Sequence, residues 1–197
     1  MEYSGRLTRE QFLHKEIKIV AELRLQGMDE NQIVDHIFKE NLFQYPTERM
    51  VKNLTGVCLK RLEAMNDREL EFNLVNSPTD LSKQINLYAI MKREQLVNDF
   101  MILVIGDKFS NQDFSLAKKD INIFFMKLKE QDENVATWAD STVAKIKQVL
   151  IRFLIETGYI EDLKTEVLHP VYLYNELEQA IIENGDQRML PAFNRFI

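Results

Sequence analysis

The chain is poor in the residues that punctuate β-rich folds. Its 197 residues contain six glycines, four prolines, one tryptophan and one cysteine. So few turn formers leave little room for the closely spaced strands of a sandwich or barrel, whereas the abundant Leu, Ile, Lys, Glu, Gln, Met and Ala favour helices. The lone Cys58 cannot form an internal disulfide, and no charged-then-apolar leader opens the sequence. Both features predict a reducing, cytoplasmic setting. The longest apolar run, residues 100–105, is far short of the roughly 20 residues that cross a bilayer. No membrane association is expected.

Reagents for catalysis are also scarce. His14, His36 and His169 are far apart, without metal-ligand spacing, and no Gly-rich phosphate loop, GxSxG elbow or HExxH motif occurs. Cys58 falls on the apolar face of its predicted helix, as a buried thiol does. The expectation is a protein that is not an enzyme and carries neither cofactor nor metal.

What the sequence does contain is 45% hydrophobic and 28% charged side chains, enough for a packed core. The net charge of −6 argues against indiscriminate nucleic-acid binding. Its distribution tells more. Residues 1–65 balance ten basic against ten acidic side chains and 108–152 are net +2, while 66–107 (net −3) and 153–197 (net −5) hold the acidity.

Helical periodicity and capping signals organise the chain. Thr8 with Gln11 predicts the start of a first helix over 9–26, and Asp29 with Gln32 the start of a second. Pro46 suits the first turn of a third, over 46–65. These three resemble a helix-turn-helix unit. A short helix over 67–76 precedes the break at Ser77-Pro78-Thr79-Asp80, after which 81–91 and 94–105 read as buried helices. Leu87-Tyr88-Ala89-Ile90-Met91 and the terminal Phe193, Phe196 and Ile197 are either core or a docking patch. Ser115 is expected to cap a helix to about Lys129, and Asp140-Ser141 one reaching Thr157. Two strand-like pieces, 159–162 and 166–169, flank Leu163-Lys164-Thr165, and a last helix covers 172–184. Helix, helix and small hairpin follow the order of a winged helix. The predicted fold is therefore mostly α: a helical bundle with an N-terminal helix-turn-helix-like unit (1–76), central buried helices (77–112) and a C-terminal winged-helix-like unit with a β-hairpin (113–197).

Two helix faces carry the functional signal. On the helix 46–65, the side opposite its apolar centre near Leu54 shows Arg49, Lys52, Gly56 and Lys60, with Asn53 at the edge. On the helix 140–157, Ser141, Lys145, Gln148 and Arg152 step by four, three and four, with Lys147 on the flank and no acid between Asp140 and Glu156. Arg, Gln and Asn match base edges or phosphates, and Ser and Lys match phosphates. Both stripes are candidate nucleic-acid contacts. Lys164 and Thr165 at the hairpin tip are further candidates for phosphate.

Scattered positions carry a family resemblance. Tyr3-Ser4-Gly5-Arg6-Leu7-Thr8, Glu40-Asn41-Leu42-Phe43-Gln44, Leu87-Tyr88-Ala89-Ile90-Met91-Lys92, Asp120-Ile121-Asn122 with Phe124-Phe125, and Trp138 followed by Thr142, Lys145, Lys147 and Gly158 resemble the BrxA proteins of BREX bacteriophage-exclusion systems. The resemblance covers almost the whole chain. It implies a cytoplasmic helical protein of a phage-defence island that binds double-stranded DNA, has other BREX proteins as partners and has no catalytic residues. Similarity to antitermination factors leaves RNA as an alternative ligand, an assembly adaptor without nucleic-acid contact as an alternative role, and homo-oligomerisation open.

Overall fold

A computed structural model of the chain describes residues 3–162 and 164–196. The chain divides into two units, one formed by residues 13–93 and the other by the segment up to Phe12 together with Glu94 onward. These boundaries differ from 76/77 and 112/113, because the helix after Pro78 packs with the N-terminal helices.

The first unit is a bundle of α1 (His14–Leu25), α2 (Glu30–Lys39), α3 (Glu48–Met65), α4 (Arg68–Asn76) and α5 (Thr79–Arg93). The α3 helix packs on α1, α2 and α5, and α4 packs on α1 and α5. Asp29 and Gln32 form the expected reciprocal capping box, with N–H to side-chain oxygen distances of 2.9 and 3.0 Å. In α5, Leu81, Ile85, Leu87, Tyr88, Ala89, Ile90 and Met91 are buried. Residues 87–91 are therefore core. At about 1.5–3 kcal/mol for each large apolar side chain buried, α5 anchors this unit.

Two helix starts differ from expectation. The first helix begins at His14 rather than Arg9: Gly5–Arg9 forms a 3-10 turn, Thr8 bonds Gly5 O, and Leu13 adopts φ 56°. The reason is packing. Leu7 and Phe12 are buried in the other unit, where Phe12 lies 5.6 Å from the Phe153 ring. Burying these side chains outweighs continuing the helix through them. At α3, Thr47 rather than the Pro46 position starts the helix, its hydroxyl accepting from Met50 N at 3.3 Å. The buried face of α3 is centred on Val51, Thr55, Cys58, Leu62 and Met65, with Leu54 half-buried and Met50 exposed. The Cys58 thiol is buried, as expected.

The second unit begins with α6 (Gln95–Phe100), a π-helical segment (Met101–Gly106) and α7 (Asp107–Ser110), which run end to end. Residues 100–105 are thus helical. There follow α8 (Lys118–Gln131), the short α9 (Glu133–Ala136), α10 (Asp140–Glu156), α11 (Asn175–Glu183) and a 3-10 segment, Gln187–Phe193. The last helix is shorter than 172–184, since residues 170–174 lie outside any helix, with Tyr174 extended at its N-cap and packed edge to face with Tyr172. Phe193 is core and Phe196 is exposed, while Ile197 lies outside the described residues.

Neither predicted cap in this unit forms. Ser115 bonds Asp113 instead, and α8 is capped from within by Asp120, whose carboxylate accepts from Ala117 N at 2.8 Å. Ala139 occupies the N-cap of α10, leaving Asp140 and Ser141 in its first turn. The β-hairpin is likewise not laid down as a ladder among the described residues. Residues 166–168 turn instead to 114–116, through an antiparallel Ser115–Val167 bridge. Leu116 N donates to Glu166 O at 2.7 Å and Leu168 N to Phe114 O at 2.9 Å. One bond, His169 N to Tyr159 O at 2.7 Å, ties this pair to 159. The Asp162 carboxylate accepts from Lys164 N and Thr165 N, local bonds that compete with ladder pairing. Leu163 of the expected hairpin tip lies outside the described residues.

Candidate nucleic-acid interface

The α10 helix is amphipathic, and its inner face of Val143, Ile146, Val149, Leu150, Phe153 and Leu154 is buried. That burial fixes which side chains remain outside. Ser141, Lys145, Gln148 and Arg152 are all exposed and lie on one stripe of the helix. Among the described residues, Lys145 and Arg152 enter no ion pair, so their charges are available to a ligand.

Lys147 is placed differently. Its ammonium donates to Asn122 Oδ1 at 2.7 Å and lies 5.2 Å from the centre of the Phe125 ring, tying α10 to α8. Burial pulls its pKa below the ordinary lysine value, with repulsion from Lys129 adding to the shift and Asp140 opposing it. The geometry makes Lys147 a packing residue as well as a positive charge.

Beside α10 is a cavity of about 640 Å³, whose floor is Leu116, Ile121 and Ile160, all buried, with half-buried Ile151. Its rim brings Gln148 and Lys147 of α10 together with Lys118 of α8 and with Lys164 and Thr165 of the following loop. Lys118 was not singled out from sequence. A signal was nevertheless present in Lys118-Lys119, because two cations in the first turn of a helix oppose the helix dipole and gain nothing there for stability. Asp162 and Glu166 also line the rim. The Asp162 carboxylate is engaged by the backbone of its own loop, which partly compensates its charge.

In the other unit Arg49, Lys52, Asn53 and Lys60 are exposed on α3, Gly56 is half-buried, and exposed Glu48 and Glu63 lie on the same helix. Among the described residues, Arg49, Lys52 and Lys60 enter no ion pair. The neighbouring Arg61 is fully buried. The candidate residues thus form two separate sets, one on each unit.

A family model, BrxA, matches residues 1–185. The chain belongs to the BrxA family. It is 36% identical over 165 residues to a BREX protein BrxA of Bacillus cereus strain H3081.97, covering 82% of this chain and 80% of the relative. A BREX protein BrxA of Paramagnetospirillum magneticum is 30% identical over 175 residues, covering 89% and 87%. The BrxA fold also matches the crystal structure of an uncharacterized protein from Magnetospirillum magneticum, with a TM-score of 0.83, 28% identity and 98% of both chains covered. The match extends through both units. Membership makes the chain a protein of the BREX phage-defence kind. Among the described residues no helix is long and apolar enough to cross a membrane.

Proposed function

We propose that this BrxA-family protein is a non-catalytic accessory protein of a BREX system that binds duplex DNA in the cytoplasm and works beside other BREX proteins. The observation that carries this reading is the exposed α10 stripe of Ser141, Lys145, Gln148 and Arg152, uninterrupted by acid and opening onto a rim with Lys118 and Lys164.

Chain order supports it. The rod of α6, the π-segment and α7 is followed by the 114–116 segment, α8, α10, then 159–160 and 166–169, with 166–168 bonded to 114–116 and His169 N to Tyr159 O. Read as a winged helix, this order gives α10 the recognition position and puts Lys164 and Thr165 on the wing. On the other unit, α2, a short connection and α3 follow helix-turn-helix order, with Arg49, Lys52, Asn53 and Lys60 on the outer face. In this reading Lys and Arg neutralise phosphates, while Gln148 and Asn53 address base edges.

Titration of labelled duplex DNA, followed by fluorescence anisotropy at about 50 and about 200 mM salt, tests the proposal. If about four phosphates are neutralised, log affinity falls against log salt with a slope of about −3.6. Changing Lys145, Gln148 and Arg152 together to Ala removes most of that binding while far-UV circular dichroism stays helical. Binding independent of salt, or retained in full by the triple variant, overturns it.

A further inference from the structure

The cavity beside α10 is more than a gap next to a basic helix. Its volume of about 640 Å³ falls within the range of sites that enclose a small organic group. The chemistry is divided by depth. Leu116, Ile121, Ile151 and Ile160 make an aliphatic floor without a charged group, which suits a flat, weakly solvated ring. The amide of Gln148 stands at the rim with the Asn122 Nδ2 and Thr165 hydroxyl donors, whose oxygens accept from Lys147 and Val167 N, and these can meet ring nitrogens and carbonyls.

Charge decides what the ring carries. Ammonium groups reach the rim from α8 (Lys118) and the loop (Lys164), with the positive charge of Lys147 held close by on Asn122 and Phe125, against the carboxylates of Asp162 and Glu166. Asp162 is already bonded to two backbone N–H groups. The balance favours an anion attached to an apolar, hydrogen-bonding ring, which is the chemistry of a nucleotide. Gln148 belongs both to the exposed α10 stripe and to the rim, so a strand lying along the stripe passes the mouth of the cavity.

We infer that this cavity receives an unpaired nucleotide of a DNA strand, its base on the aliphatic floor and its flanking phosphates at Lys118 and Lys164. The inference rests on the DNA binding proposed above and adds a preference for DNA with a base out of the stack. Apolar side chains are adequate surfaces for such a base, and an unpaired base costs least to take up.

The test uses the full chain and three probes: a fully paired duplex, the same duplex with one unpaired deoxyadenosine, and the same duplex with an abasic residue in that place. The expected result is roughly tenfold tighter binding of the unpaired-base probe than of the other two, from removing the base and the aliphatic floor from water. Ile151→Phe, which fills the floor, abolishes that advantage while leaving affinity for the paired duplex unchanged. Lys164→Ala, on the exposed loop, reduces the advantage without touching the core, and so covers failure of the floor variant to fold. Equal binding of all three probes overturns the inference and leaves DNA binding standing. Failure to bind any of them overturns both. Deoxyadenosine monophosphate displacing only the unpaired-base advantage supports the cavity as its seat; saturable binding of this nucleotide with no preference among the probes moves the source from a strand to a free nucleotide and overturns the inference as stated.

Discussion

The two basic helices look alike in sequence and differ in their surroundings. The α3 helix shows three exposed cations and an asparagine on a face also occupied by Glu48 and Glu63, whereas no acid lies between Asp140 and Glu156 on α10. More telling is what adjoins them. Beside α10 stand a cavity and a loop that add lysines from two other elements. A basic stripe becomes informative when the fold brings it charges that its own helix does not supply.

The comparison breaks most directly by neutralising each face in turn. Lys145, Gln148 and Arg152 to Ala is expected to weaken DNA binding by roughly 100-fold, about 3 kcal/mol, as charged hydrogen bonds are lost. It also makes the salt slope shallower by about 1.8, for two cations. Arg49, Lys52 and Lys60 to Ala is expected to have a smaller effect on affinity. Anisotropy titrations of both variants check this, and the reverse ranking would transfer the principal interface to α3.

Two glycines extend the contrast to stability. A Cβ on Gly106, at the end of the π-segment, would lie 2.9 Å from Pro191 Cβ and 3.0 Å from its carbonyl carbon. Backbone cannot yield cheaply, so Gly106→Ala should destabilise by about 1–3 kcal/mol in urea unfolding. A Cβ on Gly56 of α3 meets nothing within 4 Å. Gly56→Ala should therefore stabilise by about 0.5–1 kcal/mol through helix propensity. If Gly56→Ala also weakened DNA binding while stabilising the fold, α3 would lie against the DNA backbone and the two faces would be closer in importance.

Local signals in the sequence identified the Asp29–Gln32 capping box, the buried α5 and the exposed stripe of α10, because each rests on contacts within one helix. The errors share another cause. Thr8 and Gln11 have capping-box spacing, but Phe12 gains more by packing on Phe153, a partner 141 residues away, than by joining a helix. The 114–116 segment carries no periodic pattern and acquires its role only when 166–168 bonds to it. Lys147 read as a flank cation, and its position over Phe125 depends on α8. The same limit hid the cavity, whose walls come from three stretches of chain.

Within the second unit, the lysines themselves divide into held and available. Lys147→Met keeps the aliphatic stem and removes the bond to Asn122 and the contact with the Phe125 ring. A loss of about 1 kcal/mol is expected from these two terms. The salt slope of DNA binding should be unchanged if Lys147 acts by packing. A slope shallower by about 0.9 would instead make it a phosphate contact.

Lys108 provides the smallest and sharpest case, because its charge is consumed within the fold. Burial opposes its protonation, but hydrogen bonds to Asp113 at 2.8 Å and an ion pair with Asp120 at 3.1 Å outweigh it and raise its pKa. Its partner responds in the opposite sense. The hydrogen bond from Lys108, then those from Ser115, hold the Asp113 carboxyl down at about 2, from an ordinary 3.8. A carboxyl depressed on folding stabilises the native state above its unfolded pKa and loses that contribution as pH falls through the folded value. The window is therefore about pH 4 down to about pH 2. Asp113→Asn should lower the urea midpoint slightly at pH 7, and the gap to the parent should close across that window. A gap that persisted at pH 2 would mean that Asp113 acts through its Ser115 hydrogen bonds rather than its charge, leaving Asp120 as the principal charge partner of Lys108.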